Sequence, residues 1–307
     1  MTQLVKRQLL YLLKFCVGAT LVVWILMQVD REKFVQYFLK LNFFTIALIF
    51  ILTVISLFIQ LQRWKYLVKS NSINVNSTDL IPSFFAGFAF RLMVPGGHAE
   101  ISKIFLLSGK KKGKVLAFGM EKFFQTYIKI FLILMMLPIT FPQYKIYCIL
   151  AIIVLILVYL FFPRLPILKN LQERKVQNHL LFTNVLIISL AIFSIMAVQY
   201  YILLNQVNSI SLLDTFHTVI YLWGAGIIPI SISGLGIREG LAVYFLKIYG
   251  IPAAYAVATS LFLFTLNTIF PALVGIYYIY MKRNYLKEMK DSVRSTRELI
   301  HNLRNHK

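Results

Sequence analysis

An all-α protein threaded repeatedly through a membrane is the fold class that this sequence predicts, and three observations predict it. Of 307 residues, 59% are hydrophobic and only 14% charged, with a mean hydropathy of +0.74, whereas soluble domains are about 45–50% apolar. Apolar runs near the ~20 residues that a helix needs to cross a bilayer recur along the whole chain. Two longer apolar stretches are broken by glycine and proline, and such breaks are tolerated at membrane depth only against protein or a wet cavity.

Taken in order, the first span covers residues 9–29 and follows Lys6 and Arg7. It is too long for the apolar part of a signal peptide and has no small-x-small cleavage pattern before Asp30, so it stays as an anchor. Spans follow at 43–61, 115–137, 142–162, 180–204 and 253–281, which makes six. The broken stretches are 80–107, interrupted at Pro95-Gly96-Gly97, and 212–249, interrupted by five glycines and Pro229 between Gly224 and Gly240. Each reads as a pair of half-helices, either re-entering or crossing. Residues 1–281 form one transmembrane domain with halves 1–137 and 142–281, and 282–307 form a basic tail. Leu286, Met289, Val293 and Leu303 make that tail amphipathic, resting on a leaflet or simply solvated.

Charge sets the orientation. Arg63, Lys65 and Lys69, five lysines within 103–114 and four basic residues within 164–175 mark one side, while 139–144 and 205–213 carry no charge. With basic loops inside, both termini are cytoplasmic. The connection 30–40 would lie outside although it carries three basic and two acidic residues. The order span, span, broken segment, span occurs in both halves, and three crossings precede the second, so the second runs upside down. Transporters built from such inverted repeats bind substrate near the midplane between the repeats.

The net charge of +21 belongs to loops and tail, which points to anionic lipid and away from nucleic acid. Cys16 and Cys148 lie in apolar runs and read as packing residues. His98 and His217 lack metal-ligand company, and no phosphate-cradling loop, nucleophile elbow or His-Glu-x-x-His pattern occurs, so neither metal nor cofactor is expected. The chemistry falls at the breaks instead. Half-helix starts present free N–H groups and a positive dipole end to an anion. Arg238 and Arg91 add guanidinium groups. Glu239 and Glu100 would orient those cations, cap the half-helices or carry a proton. Gly234, Gly236, Ser233, Pro95, Gly96 and Gly97 shape the two turns. Glu121, Gln125 and Lys129 share one helix face that should point into the bundle, with Glu121 and Lys122 close enough to its cytoplasmic end to snorkel and Lys129 nearer mid-span.

The stretch from Met93 to Glu100, the stretch from Pro229 to Glu239, Tyr249-Gly250-Ile251-Pro252, Pro271 and Gly275 together resemble the lysylphosphatidylglycerol synthase transmembrane family, also called flippase-like or UPF0104 proteins. The matching positions are Pro95, Gly96, Glu100, Gly234, Gly236, Arg238 and Glu239. The first motif departs from the family's Pro-Gly-Arg-x-Gly-Glu, having His98 within it. The resemblance implies a lipid-translocating domain without the soluble aminoacyltransferase, for which about 25 residues after the last span are too few. The expected function is movement of an anionic phospholipid or lipid-linked phosphate across a bacterial cytoplasmic (inner) membrane. An intramembrane lipid-modifying enzyme using Glu100, Glu239 or His98 is one alternative. A partner subunit of an envelope-lipid synthesis enzyme is another.

Overall fold

A computed structural model describes residues 20–21, 23–27, 29–71, 76–93, 98–108, 111–162, 175–227 and 232–282, with helix and no strand among them. Most of the first expected span, Pro95-Gly96-Gly97, Pro229 and the tail after Lys282 lie outside the described residues. Five helices among those described are long and apolar enough to cross a membrane, so the chain is an all-α polytopic membrane protein.

The connection read as a loop at 30–40 is instead a helix, α1 (Arg31–Lys40), capped by the Asp30 carboxylate, which accepts the Lys33 N–H at 3.2 Å. That hydrogen bond holds the Asp30 pKa below its ordinary value. Tyr37 is buried on Tyr255 and accepts a hydrogen bond from the Thr259 hydroxyl at 2.9 Å. Helix α2 (Phe43–Ser70) starts at an Asn42 cap and runs well past the expected end at residue 61. Arg63 therefore lies within the helix and is buried, not in a basic loop.

Helix α3 (Ser77–Met93) enters the bundle, and the chain comes back as a 3-10 helix (His98–Leu106), not as an α-helix. The legs run antiparallel: Ser83 donates to the Lys103 carbonyl at 2.9 Å, and Gly87 lies against the Lys103 and Glu100 side chains. Asp79 at the mouth of this hairpin accepts a hydrogen bond from Lys282, which follows the last span, at 2.6 Å. Both legs therefore open on one face, and this broken segment re-enters. Helix α4 (Lys111–Thr140) then crosses to the opposite face, and α5 (Lys145–Phe161) and α6 (Lys175–Leu204) cross back and forth.

The second broken segment is a hairpin of the same kind entering from the other face. Helix α7 (Leu212–Gly224) starts at a Ser211 cap, and α8 (Ile237–Lys247) returns beside it. Tyr221 stacks on Phe245 at 4.3 Å, and Asn208 donates to the Gly250 carbonyl at 3.2 Å across the open end. The last crossing joins α9 (Ala253–Phe264), a π-helical turn (Thr265–Ile269) and α10 (Phe270–Met281). Pro271 lacks the N–H that would pair with the residue 267 carbonyl, which accounts for the wider turn before it.

Each hairpin docks on the final span of the opposite half: α3 packs along α10, and α7 packs along α4. Close approach demands small residues at these crossings, as is usual where helices associate in lipid. A Cβ on Gly275 would come within 2.1 Å of the Phe85 carbonyl oxygen, and one on Gly224 within 2.4 Å of Ile133. By contrast α5 turns Ile146, Ile149, Ile153, Val154 and Leu157 outward, where hydrocarbon is the matching solvent.

Two outcomes follow. In a cysteine-free background, Asn76→Cys and Ser108→Cys label with a membrane-impermeant maleimide from one side, and Asn208→Cys labels from the other; labelling of all three from one side would contradict the opposed hairpins. Gly275→Ala forces α3 away from α10 and costs about 1–3 kcal/mol of overpacking, seen as a lowered melting temperature in detergent, while Gly119→Ala, with open space around it, does not.

Candidate functional site

The two hairpin tips meet inside the bundle, where α3 touches the turn Ile232–Gly234. That turn needs unusual backbone: Ser233, Gly234 and Gly236 have φ of 55°, 80° and 84°, a region that glycine enters without steric cost. Gly234 approaches Gly226 on the outgoing leg, where a Cβ would lie 3.5 Å from the Gly226 nitrogen. Beside the tips lies a cavity of about 540 Å³.

One wall of the cavity is cationic. Arg91, Lys122, Lys129 and Arg238 line it, together with Glu100, Ser233 and Gly234. Arg238, the first charged residue of α8, donates from Nη2 to Glu239 at 2.6 Å and from Nε to the Ser260 hydroxyl at 2.9 Å, and lies 4.9 Å over the Phe264 ring. Glu239 is fully buried behind it and accepts the Gly236 N–H at 2.6 Å. It thus caps α8 and orients Arg238 at once. That cap occupies one of the N–H groups at the helix start, while the Arg238 side chain lines the cavity. Gly236 and Glu239 support the site from behind.

At the first hairpin, Glu100 is ion-paired to Lys122 and, at 3.5 Å, to Lys103. Lys103 also pairs with Glu121 and sits 3.9 Å over the Trp64 ring; Arg63 reaches Glu121 at 3.8 Å and donates to Ser189 at 3.1 Å. Every member but Lys122 is buried. Buried charges need such pairing, because desolvation otherwise exceeds what attraction returns. Arg91 lies 4.8 Å over Phe88 with Nε buried and unpaired. Lys129 lies 5.1 Å over Trp223, and a Cβ on Gly226 would come within 3.3 Å of its Nζ. Neither has a carboxylate within ion-pair distance among the described residues.

The opposite wall is neutral and polar, with Ser56, Gln60, Gln199, Asn267 and Thr268. Gln199 donates to Thr53 at 2.9 Å and accepts from Asn267 at 2.9 Å, tying α2, α6 and the π-helical turn together. Irregular turns of this type often sit at functional sites.

The family comparison agrees with this architecture. The chain matches the family described as "Lysylphosphatidylglycerol synthase TM region" over residues 11–275. It belongs to that family. In this member of the lysylphosphatidylglycerol synthase TM family, no curated protein and no solved structure gives a further match.

The structure therefore brings Arg238, Ser233, Gly234, Arg91, Glu100 and Lys129 to one cavity, while Pro95, Gly96 and Gly97 lie outside the described residues. The expected stripe on α4 is rotated: Gln125 and Lys129 face the cavity, but Lys122 does so in place of Glu121, which turns to Arg63 and Lys103. Lys122 does not snorkel, because Glu100 holds it. Sequence reading missed Arg63 and Lys103 by counting them as loop charges. The signal was their spacing: Ser56, Gln60 and Arg63 recur at four- and three-residue steps, as one helix face does. His217 is a packed histidine that bonds Thr140 at 2.8 Å and Tyr249 at 3.0 Å.

Removing one partner of a buried pair exposes the cost of the other. Glu239→Ala should destabilise the protein by about 3–5 kcal/mol, whereas Lys33→Ala, which breaks the exposed pair with Asp30, should leave the melting temperature unchanged.

Proposed function

We propose that this protein moves an anionic lipid between the leaflets of a bacterial cytoplasmic membrane, with its head group held in the cavity where the hairpin tips meet. The observation that carries this reading is the clustering of four cations from both halves of the chain, Arg91, Lys122, Lys129 and Arg238, around one cavity inside a membrane bundle. Intramembrane charges that face a cavity mark substrate pathways, and a guanidinium suits phosphate oxygens in a two-pronged geometry. Membership of the lysylphosphatidylglycerol synthase TM family fits a lipid-handling role. Opposed hairpins that enter from the two faces fit alternating access around a fixed midplane site. The carboxylates offered as acid or base, Glu100 and Glu239, are both engaged by cations, which favours transport over chemistry on the lipid. With the face bearing Lys69 and Lys282 on the cytoplasmic side, both chain ends lie in the cytoplasm.

The test is translocation of fluorescently labelled phosphatidylglycerol and labelled polyprenyl phosphate in proteoliposomes. Arg238→Ala should slow transport about tenfold or more, the loss of a charge-assisted hydrogen bond of about 1.5–3 kcal/mol, and Arg238→Lys should restore part of it. Equal rates for wild type and Arg238→Ala, at matched incorporation of folded protein, would remove this site from the function.

A further inference from the structure

Charge balance around the cavity bears on which head group it holds. Six cationic side chains in and behind its wall face three carboxylates: Glu100 and Glu121 are shared among Arg63, Lys103 and Lys122, and Glu239 holds Arg238, which leaves Arg91 and Lys129 over. Basic side chains there thus outnumber carboxylates by three among the described residues. Arg91 ends α3 at the tip of one hairpin, and Lys129 reaches Gly226 at the tip of the other. An excess of this size in a low-dielectric interior is costly unless a bound anion completes it.

We infer that the cavity is built for a lipid head group bearing two or more negative charges, a terminal phosphate monoester or a diphosphate, in preference to a phosphodiester or a zwitterion. This deepens the transport reading above and rests on it. A phosphate monoester carries about −1.5 to −2 at neutral pH with three strong acceptor oxygens, which suits a cavity lined by Arg91, Lys129 and Arg238. A phosphodiester brings one negative charge and leaves two cations unmatched. A phosphocholine head cancels its own charge and adds a cation to a wall that already has too many. The neutral wall of Gln60 and Asn267 offers amides to whatever the phosphate is joined to, and adds no charge that would reward a zwitterion.

The experiment uses the full chain, purified and delipidated in a mild detergent, with native mass spectrometry of an equimolar mixture of farnesyl phosphate, farnesyl diphosphate, phosphatidylglycerol and phosphatidylcholine. The two farnesyl lipids should be retained at least about tenfold over phosphatidylglycerol, and phosphatidylcholine least. Arg91→Gln and Lys129→Gln should each erase about tenfold of that preference, a charged hydrogen bond's worth, by lowering retention of the farnesyl lipids more than that of phosphatidylglycerol. Because both variants remove unmatched charge, their ligand-free melting temperatures should equal or exceed that of wild type; a fall in both would mean that these cations are matched already and would count against the inference. Inorganic phosphate and pyrophosphate form a separate arm: if they displace farnesyl phosphate at micromolar concentration, the site serves a soluble anion and the lipid head group is overturned as its source. Equal retention of all four lipids, or an equal loss of all four in the variants, overturns the charge selectivity. If that occurs while Arg238→Ala still abolishes translocation, only the head-group inference fails; if no lipid is translocated through the cavity, the transport reading fails.

Discussion

A peptide group released from its helix inside a bilayer has no water to turn to, and that constraint organises this protein. Each broken segment must find its partners within the molecule, so each hairpin is driven against the final span of the opposite half. The crossings are correspondingly tight. Gly275 lets the Phe85 carbonyl approach where no side chain fits, and Gly226 and Gly234 let two stretches of backbone come together at the second tip. What the tips do not fill becomes a cavity, and the same break that endangers the backbone produces a place where polar side chains are tolerated at this depth.

Those side chains are held unequally. In the second hairpin the charge is settled locally: Arg238 and Glu239 are neighbours in sequence, and Ser260 on α9 donates to the Glu239 carboxylate at 2.8 Å. In the first hairpin it is settled at a distance, since Glu100 reaches Lys122 on α4 while Lys103 reaches Glu121 on the same helix. The first hairpin is therefore fastened to α4 by ion pairs and the second to α9 by hydrogen bonds. Hydrocarbon packing supplies the rest: Trp64, Phe84, Phe88 and Leu107 close around the first hairpin, and Phe193, Leu222, Leu246 and Val257 around the second. An aromatic group of Phe124, Phe162 and Phe182 joins α4, α5 and α6 away from the cavity. A bundle fastened in this way holds each hairpin by polar contacts to its own half and by packing to the other, with a shared charged pocket between them.

Much of the architecture was legible in the residues because the bilayer imposes simple lengths and sharp penalties. The five long spans among the described residues begin or end within a few residues of the apolar limits, except where a helix continues into polar sequence, as α2 does beyond residue 61. The two breaks stand where glycine and proline interrupt apolar runs, and Arg238, Arg91, Glu100 and Lys129 were picked out because a charge in such a setting is rarely idle. Arg63 and Lys103 were not, since a cation near the end of an apolar run reads as loop charge until its helix is seen to continue and its partner is seen to lie across the bundle. The helix at Arg31–Lys40 was hidden for a related reason: a charged ten-residue stretch shows no membrane signal, and contacts distant in sequence, Tyr37 on Tyr255 and Phe38 on Phe262, fix it in place.

The sequence by itself determined that the chain is helical and membrane-spanning and that charged and polar residues stand at two glycine- and proline-rich breaks. Hydropathy, helix length and the conformational demands of glycine and proline are local properties, and they act wherever the residues stand. Only the tertiary structure decided that both breaks re-enter, that Lys122 and not Glu121 faces the cavity, that the Glu239 carboxylate caps α8 and orients Arg238, and that Arg91 and Lys129 have no carboxylate within ion-pair distance among the described residues. These outcomes depend on which side chain lies opposite which across the bundle. Pairing of buried charges is decided over ångströms in space between residues that can be tens of positions apart along the chain, and no local pattern encodes it.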